Sequence, residues 1–245
     1  MVNVLPQLKG LKGAALDFLF PRFCVGCGKE GDFICNSCQT ELTRIESPVC
    51  NKCGKPQAYP AGFLEDNQLL CSNCVDWESD IDGIRSPFRF EGTIRKAVHE
   101  FKYRNLRAIT GQLAKLMGDY LTAEEPISYE ILVPVPLHPG RLRERGYNQS
   151  LLLANELSKL TGSPVNYNCL VRKVYNLPQA KTRSVEERRQ NVIGIFSCAN
   201  EDLLEKRVLL IDDVTTSGAT LNACASALKT GGALSVWGLT LAREI

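Results

Sequence analysis

The stretch that most constrains the fold of this chain is VLLIDDVTTSGAT, which covers residues 208–220. It opens with four apolar residues, a short bounded run that is typical of a strand buried on both faces of a parallel sheet. Asp212 and Asp213 follow directly, and a turn of small and hydroxylated residues comes next. A helical pattern then starts at Leu221 and runs to a pair of glycines. Together these features predict an anion site at the carboxyl edge of a sheet.

The turn after the acid pair has the chemistry to receive a phosphate. Backbone N–H groups at a helix start point at an anion, and the helix dipole adds to the attraction. Gly218 lets the backbone approach closely, and the hydroxyls of Thr216, Ser217 and Thr220 can donate. Carboxylates would repel a phosphate alone, so they suit a ligand that also carries hydroxyls or a divalent metal. A sugar phosphate with a vicinal diol is such a ligand. The alternative is a buried strand that simply ends in an Asp-containing turn.

This stretch resembles the signature of type I phosphoribosyltransferases, which bind phosphoribosyl pyrophosphate (PRPP). The resemblance implies an α/β fold, in which a parallel sheet is flanked by helices. It also implies that Asp212 and Asp213 hold the ribose hydroxyls and that the following loop cradles the 5′-phosphate. The loop residues are Thr215, Thr216, Ser217, Gly218, Ala219 and Thr220.

Eight of the eleven cysteines lie in the first 74 residues as four CxxC pairs. The pairs are Cys24/Cys27, Cys35/Cys38, Cys50/Cys53 and Cys71/Cys74. The N-terminus shows no secretion signal, so we expect reduced thiols rather than disulfides. A CxxC spacing lets both sulfurs bind one tetrahedral ion, which predicts two structural zinc sites with no open coordination position. A tandem assignment joins the first pair to the second and the third to the fourth, whereas a cross-braced alternative joins first to third and second to fourth.

The cysteine pairs also predict a division of the chain. A module this small can hardly build a core of its own, so metal binding would supply its folding energy. We expect residues 1–80 to form a double zinc ribbon with an N-terminal helix, and residues 81–245 to form a phosphoribosyltransferase-type domain. The helix is weakly amphipathic, which favours packing on a domain over contact with a membrane. No apolar run reaches the roughly 18 residues of a transmembrane segment.

The middle of the chain is basic although the net charge is only +2. Residues 81–190 hold 18 Lys and Arg against 11 Asp and Glu. A polyanionic ligand such as pyrophosphate explains this excess, and so does nucleic acid, while a solvated surface is the plain alternative. Periodicity predicts strands at 86–90, 131–136, 192–197 and 234–241, and helices at 93–103, 106–121 and 151–160. The first of these helices carries a basic face that includes Lys102.

The segment PVPLHPGRLRERGYNQ, residues 134–149, has three arginines within five residues. In type I phosphoribosyltransferases the loop after the first core strand receives the pyrophosphate. By that resemblance His138, Arg141 and Arg145 are candidate anion contacts, because a guanidinium fork suits phosphate oxygens. Arg141 and Arg145 are also candidate catalytic residues, which would stabilise the departing pyrophosphate. An exposed basic loop without a ligand is the alternative.

The whole arrangement resembles the ComF family: a double zinc ribbon, the arginine segment, QAKTRSVEERRQN at residues 179–191, and the PRPP loop. Residues 171–191 match the hood loop that closes over PRPP. The resemblance implies a cytoplasmic protein of DNA uptake in natural competence, peripheral to the inner membrane, which contacts single-stranded DNA and competence proteins there. It implies magnesium bound with PRPP. A second hypothesis is an active phosphoribosyltransferase for a base or amine, although the sequence shows no acceptor pocket.

Overall fold

The computed structural model describes residues 21–58, 69–123, 127–174, 187, 194–199 and 203–245. The helix expected in residues 1–20 and most of the expected hood loop lie outside these ranges.

Two sheets are present in the described part of the chain. The strands are β1 Gly83–Arg85, β2 Phe88–Arg89, β3 Ile131–Pro134, β4 Leu170–Arg172, β5 Phe196–Cys198, β6 Arg207–Thr215 and β7 Ser235–Arg243. The main sheet has five parallel strands in the order β1-β7-β6-β3, with β2 also paired to β7. Strands β4 and β5 form a separate antiparallel pair. The predicted parallel α/β architecture is therefore confirmed.

Helices cover both faces of the main sheet. The helices in the described ranges are α1 Asn36–Thr40, α2 Gly92–Tyr103, α3 Thr110–Ala123, α4 Pro139–Arg145, α5 Gln149–Thr161 and α6 Ala219–Thr230. A 3-10 turn, Arg107–Ile109, leads into α3. The three helices predicted from periodicity correspond to α2, α3 and α5. None of the helices in the described ranges has the length and apolarity needed to cross a bilayer.

The sheet separates two cores, which explains the continuous apolar run of β6. Side chains alternate along a strand, so Leu209 and Ile211 face one way while Val208 and Leu210 face the other. The first face packs with α2, α3 and α5, and the second packs with α6 and the β4–β5 pair. All four residues are fully buried because both faces of the sheet are covered.

Two local predictions were wrong in detail. The acid pair does not follow the strand but belongs to it, because β6 continues to pair with β7 as far as Thr215. The arginine segment, expected as a loop, forms the seven-residue helix α4. Pro139 starts this helix, and Nδ1 of His138 accepts a hydrogen bond from the N–H of Gly140 at 3.1 Å. His138 therefore caps the helix.

The zinc-ribbon residues cover the open edge of the sheet at β1 and β2. The N–H of Ile84 in β1 donates to the carbonyl of Lys52 at 2.9 Å, and the N–H of Arg89 in β2 donates to that of Thr43 at 2.9 Å. An exposed edge strand is a site of unwanted pairing, and this cover removes it. The first cysteine cluster shares the core of α2 and α3, whereas the second shares the core of α6. The ribbons therefore straddle the sheet edge.

Candidate functional site

The acid pair lies at the carboxyl end of β6, which is flanked by β3 and β7 near the middle of the main sheet. Ligands of open parallel sheets bind outside the carboxyl ends of the strands. Because neighbouring side chains of a strand alternate, the two carboxylates meet different elements: Asp213 contacts α2, and Asp212 contacts the start of α5. The two carboxylates thus have different surroundings.

Asp213 is buried and already has one cationic partner. Its Oδ1 lies 2.8 Å from Nζ of Lys102 on α2, and the residue is only 4% exposed. Its Oδ2 is buried and accepts no hydrogen bond from the described residues. Burial alone lowers the pKa of Lys102, but the Asp213 carboxylate outweighs it and raises that pKa overall. Lys102 therefore stays charged, whereas Oδ2 of Asp213 is buried without a hydrogen-bond donor among the described residues, which is a costly state that a donor would relieve.

Asp212 is held by weaker partners. Its Oδ1 accepts hydrogen bonds from Oγ of Ser150 at 2.8 Å and from the N–H of Asp213 at 2.9 Å. Burial and the charge of Asp213 raise the pKa of Asp212 to about 6, although Lys102 and the two hydrogen bonds act in the opposite direction. This carboxyl group consequently gains and loses its proton close to neutral pH.

The small-residue turn is fixed from behind by β1 and by the end of the second ribbon. Gly218 has a left-handed conformation, φ +78°, and immediately precedes the twelve-residue helix α6. A Cβ atom there would lie 2.7 Å from Cδ1 of Ile84 and 3.3 Å from Cη2 of Trp77. Thr216 is exposed, whereas Thr215 and Ser217 are buried. The turn is therefore fixed at the start of α6, where the helix dipole favours an anion.

The two predicted arginines act on different neighbours. Arg145 donates from Nη1 to Oε1 of Gln149 at 2.6 Å, and its guanidinium lies 5.5 Å from the ring centroid of Tyr103. Its positive charge also acts on Lys102. The positive charge of Arg141 instead acts on a third arginine, Arg172, which the sequence analysis did not single out.

Arg172 of β4 joins the site from the hairpin side. Burial lowers its pKa, and the positive charge of Arg141 lowers it further, while Asp212 acts in the opposite direction. Like-charged groups held together beside a carboxylate are typical of an anion site. Helix periodicity identifies Lys102 only as part of a basic face, and nothing in the sequence pattern brings Lys102 or Arg172 to the acid pair. These contacts depend on the packing of α2 and β4 against the end of β6.

The eight paired cysteines form two clusters of four, as the tandem assignment predicts. Within each cluster all four sulfur atoms lie within 4.8 Å of one another; the clusters are Cys24, Cys27, Cys35, Cys38 and Cys50, Cys53, Cys71, Cys74. Zn–S bonds of about 2.3 Å in a tetrahedron place sulfur atoms roughly 3.8 Å apart. The separations Cys27–Cys35 and Cys53–Cys71 are both 3.7 Å. Both clusters therefore fit zinc.

The two clusters repeat the same local design. The N–H of Cys35 donates to Sγ of Cys24, and that of Cys71 donates to Sγ of Cys50, each at 3.4 Å. Burial opposes ionisation of Cys24, yet the N–H groups around it lower its pKa to about 6. Each knuckle closes on a glycine with positive φ. The donor set leaves no coordination position for a substrate, so these are structural sites.

Comparison with known proteins agrees with this arrangement. The double zinc ribbon domain family matches residues 15–75, which contain all eight paired cysteines. Competence protein F of Haemophilus influenzae is 32% identical over 219 residues, which span 85% of this chain and 90% of that protein. The chain belongs to the ComF family. Competence protein ComFC of Bacillus subtilis is 30% identical to this ComF-family chain, over 88% of this chain and 86% of that protein. DNA utilization protein YhgH of Salmonella typhimurium is 26% identical, over 86% of this chain and 91% of that protein.

Similarity of the ComF-family chain to solved structures is partial. Glutamine PRPP amidotransferase from Bacillus subtilis matches with a TM-score of 0.37 and 21% identity, over 54% of this chain and 26% of that one. Purine phosphoribosyltransferase from Pyrococcus horikoshii matches with a TM-score of 0.32 and 19% identity, over 58% of this chain and 75% of that one.

Proposed function

We propose that this ComF-family protein binds PRPP at the carboxyl end of β6 and takes part in DNA uptake. The names of its relatives, which are competence and DNA utilization proteins, support the role in DNA uptake. One observation carries the PRPP proposal: an acid pair, with Asp213 buried and Asp212 half-buried, is followed directly by a turn that is fixed at the start of α6. An acid pair suits a diol, and a helix start suits a phosphate.

Each part of PRPP has a proposed partner. The ribose hydroxyls donate to Asp212 and to the unpaired oxygen of Asp213, and the 5′-phosphate lies in the turn of residues 215–220. The pyrophosphate faces the arginines Arg141 and Arg145. Arg172 joins this set, because its charge interacts with those of Arg141 and Asp212.

Magnesium is expected to enter with PRPP rather than on the protein alone. A magnesium ion prefers oxygen ligands and commonly binds through one or two carboxylates together with substrate phosphates. Lys102 already neutralises one oxygen of Asp213. The described carboxylates could therefore complete the shell of an ion that PRPP oxygens hold, but would hold a free ion weakly.

We further propose contact with incoming single-stranded DNA and competence partners on the cytoplasmic side of the inner membrane. The basic excess of residues 81–190 supports contact with a phosphate backbone. A salt-dependent affinity for single-stranded DNA is the property to measure.

Titration calorimetry with PRPP and magnesium tests the pentose-phosphate site. Asp213→Asn should weaken binding at least tenfold, or about 1.4 kcal/mol, because the substitution removes an acceptor and the partner of Lys102. Asp119→Asn is the matched control, since Asp119 is an exposed acid on α3 that pairs with Lys115 at 2.7 Å. Unchanged affinity for Asp213→Asn would reject the ribose assignment.

A second candidate function is phosphoribosyl transfer to a base or amine. The observation that favours it is the pKa of Asp212 at about 6, since a general base is most effective when its pKa lies near the working pH. Pyrophosphate release with a panel of acceptors measures this activity. Steady turnover that Asp212→Asn removes would establish the enzyme, whereas PRPP binding without turnover would leave the binding role.

A further inference from the structure

We propose that a groove between the first zinc ribbon and α2 binds single-stranded DNA by stacking its bases and pairing its phosphates. We call it the knuckle groove, and its volume is about 1080 Å³. It is lined by α2, by Phe90, Leu106 and Val214, and by five ribbon residues: Pro21, Phe23, Cys24, Val25 and Phe33. This inference rests on the proposed contact with DNA and gives that contact a location.

Exposed aromatic rings mark the groove. Phe23 is 52% exposed and Tyr103 is 65% exposed, although both are large apolar residues. Phe33 and Phe90 also line the groove and are partly buried against the core. The ring of His99 lies 5.0 Å from that of Tyr103. Aromatic rings presented along a groove are the surfaces on which successive unpaired bases stack, whereas the bases of a duplex are already stacked on one another.

Cations accompany the rings. The described lining includes Arg95, Lys96 and Lys102, against one carboxylate, that of Glu100. A groove for an apolar peptide would gain nothing from these cations, while a single strand offers a phosphate for each base. The charge and the rings together therefore favour a single-stranded nucleic acid over a peptide.

The first zinc site fixes one wall of the groove. Cys24 lies in the lining, and Nζ of Lys96 donates to the carbonyl of Gly26 at 2.9 Å, which fastens the zinc knuckle to α2. A wall held by metal coordination keeps Phe23 in place without a ligand. This gives the first zinc ribbon a role beyond its own folding.

The groove also leads to the acid pair. Lys102 lines the groove, and its ammonium pairs with Asp213 at 2.8 Å. Val214, the residue after Asp213, lies in the lining as well. A strand in the groove would therefore reach the proposed PRPP site, and the two ligands would share one cation.

Fluorescence anisotropy with labelled oligo(dT) tests the proposal on the full, zinc-loaded chain. Phe23→Leu should weaken binding about fivefold or more, because it removes one stacking surface. Arg95→Gln should reduce the slope of log affinity against log salt by about 0.7, the value for one phosphate contact on a single strand. Tyr167→Leu and Lys159→Gln are the matched controls, since both residues are exposed and lie outside the groove. Each variant should retain two zinc ions, which shows that it is folded.

Photocrosslinking with an iododeoxyuridine oligonucleotide gives an independent location. We expect crosslinks at Phe23 or Tyr103. Wild-type affinity and salt slope in both groove variants, or crosslinks confined to other surfaces, would overturn the groove while leaving DNA binding intact. Tighter oligo(dT) binding after removal of residues 1–20 would also overturn the proposal, because that segment rather than DNA would then occupy the knuckle groove in the full chain. If the wild-type protein binds no oligo(dT), the proposed DNA contact itself is refuted. The PRPP titration is a separate measurement, and neither of these results affects it.

Discussion

At the scale of single residues, the acid pair is asymmetric. Asp213 has the ammonium of Lys102 at 2.8 Å, whereas Asp212 has a serine hydroxyl and one backbone N–H. Adjacent carboxylates repel each other, and only one of them contacts the cation directly. Asp212 therefore responds to pH in the range where cells operate.

This asymmetry predicts how stability depends on pH. The pKa of Asp212 rises from 3.8 to about 6 in the folded protein, so the folded protein holds this proton more tightly than the unfolded chain does. The resulting contribution to the free energy of unfolding is complete below pH 3.8 and is lost as the pH rises through about 6. Wild type should therefore lose stability relative to Asp212→Asn over this range, by up to about 3 kcal/mol. Urea unfolding of both proteins from pH 4 to 7.5 measures the difference between their free energies of unfolding. Ionisation of the cysteines contributes equally to both proteins and cancels in this difference.

The source of the shift can be checked in the same experiment. Lys102 lowers the pKa of Asp212, so Lys102→Met should raise the pH at which the stability difference levels off, which is about 6 in the presence of Lys102. Lys115→Met, which removes an exposed i,i+4 partner of Asp119, should leave that pH unchanged. A difference that is flat with pH would show that Asp212 does not titrate as described.

At the scale of elements, the sequence predicts β6, the turn and α6 well, because a buried apolar run and a small-residue turn are local signals. It predicts less well what depends on neighbours. Pairing with β7 extends β6 through the acid pair, and the good helix formers of 141–145 become part of α4 once His138 caps the helix and Pro139 starts it. Nothing local shows that Nζ of Lys102 reaches Asp213, because periodicity gives the face of a helix but not the strand end beside it.

Gly218 is the element-scale position most sensitive to substitution. Gly218→Ala adds the cost of a left-handed conformation, about 1–2 kcal/mol, and a contact with Ile84 at 2.7 Å that must be relieved. We expect a loss of about 2–4 kcal/mol in unfolding free energy, together with weaker PRPP binding as the turn shifts. Chemical denaturation and calorimetry measure the two effects.

Gly162→Ala is the matched control for Gly218→Ala. Gly162 has nearly the same φ, +77°, but a Cβ there meets nothing within 4 Å. The Gly162→Ala variant should lose only the part of the unfolding free energy that comes from the left-handed conformation, and it should keep the PRPP affinity of the wild type. Equal losses for the two variants would mean that the contact with Ile84 and Trp77 does not position the turn.

At the scale of the whole molecule, the two zinc sites serve opposite faces of one sheet. The second cluster packs with Trp77 and α6, and Nη1 of the buried Arg243 at the end of β7 donates to the carbonyl of Cys53 at 2.6 Å. The first cluster packs with α2 and α3, where Gln112 exchanges two hydrogen bonds with Ile34. Loss of one metal should therefore affect one face more than the other.

Single-site loss of zinc tests this coupling, and tryptophan emission reports it. The chain has two tryptophans, so Trp237→Phe leaves Trp77, which is 8% exposed beside the second cluster, as the only reporter. In that background Cys74→Ser should shift the Trp77 emission to the red and weaken PRPP binding, because the turn at Gly218 loses its support. It should also lower the free energy of unfolding by more than about 2 kcal/mol, because metal binding supplies folding energy. Cys27→Ser should leave Trp77 emission and PRPP binding near wild type while weakening oligo(dT) binding, since its cluster forms a wall of the knuckle groove. Both variants should retain about one zinc ion. The same red shift in both would show that the ribbons unfold as one unit and that neither face of the sheet depends on its own metal.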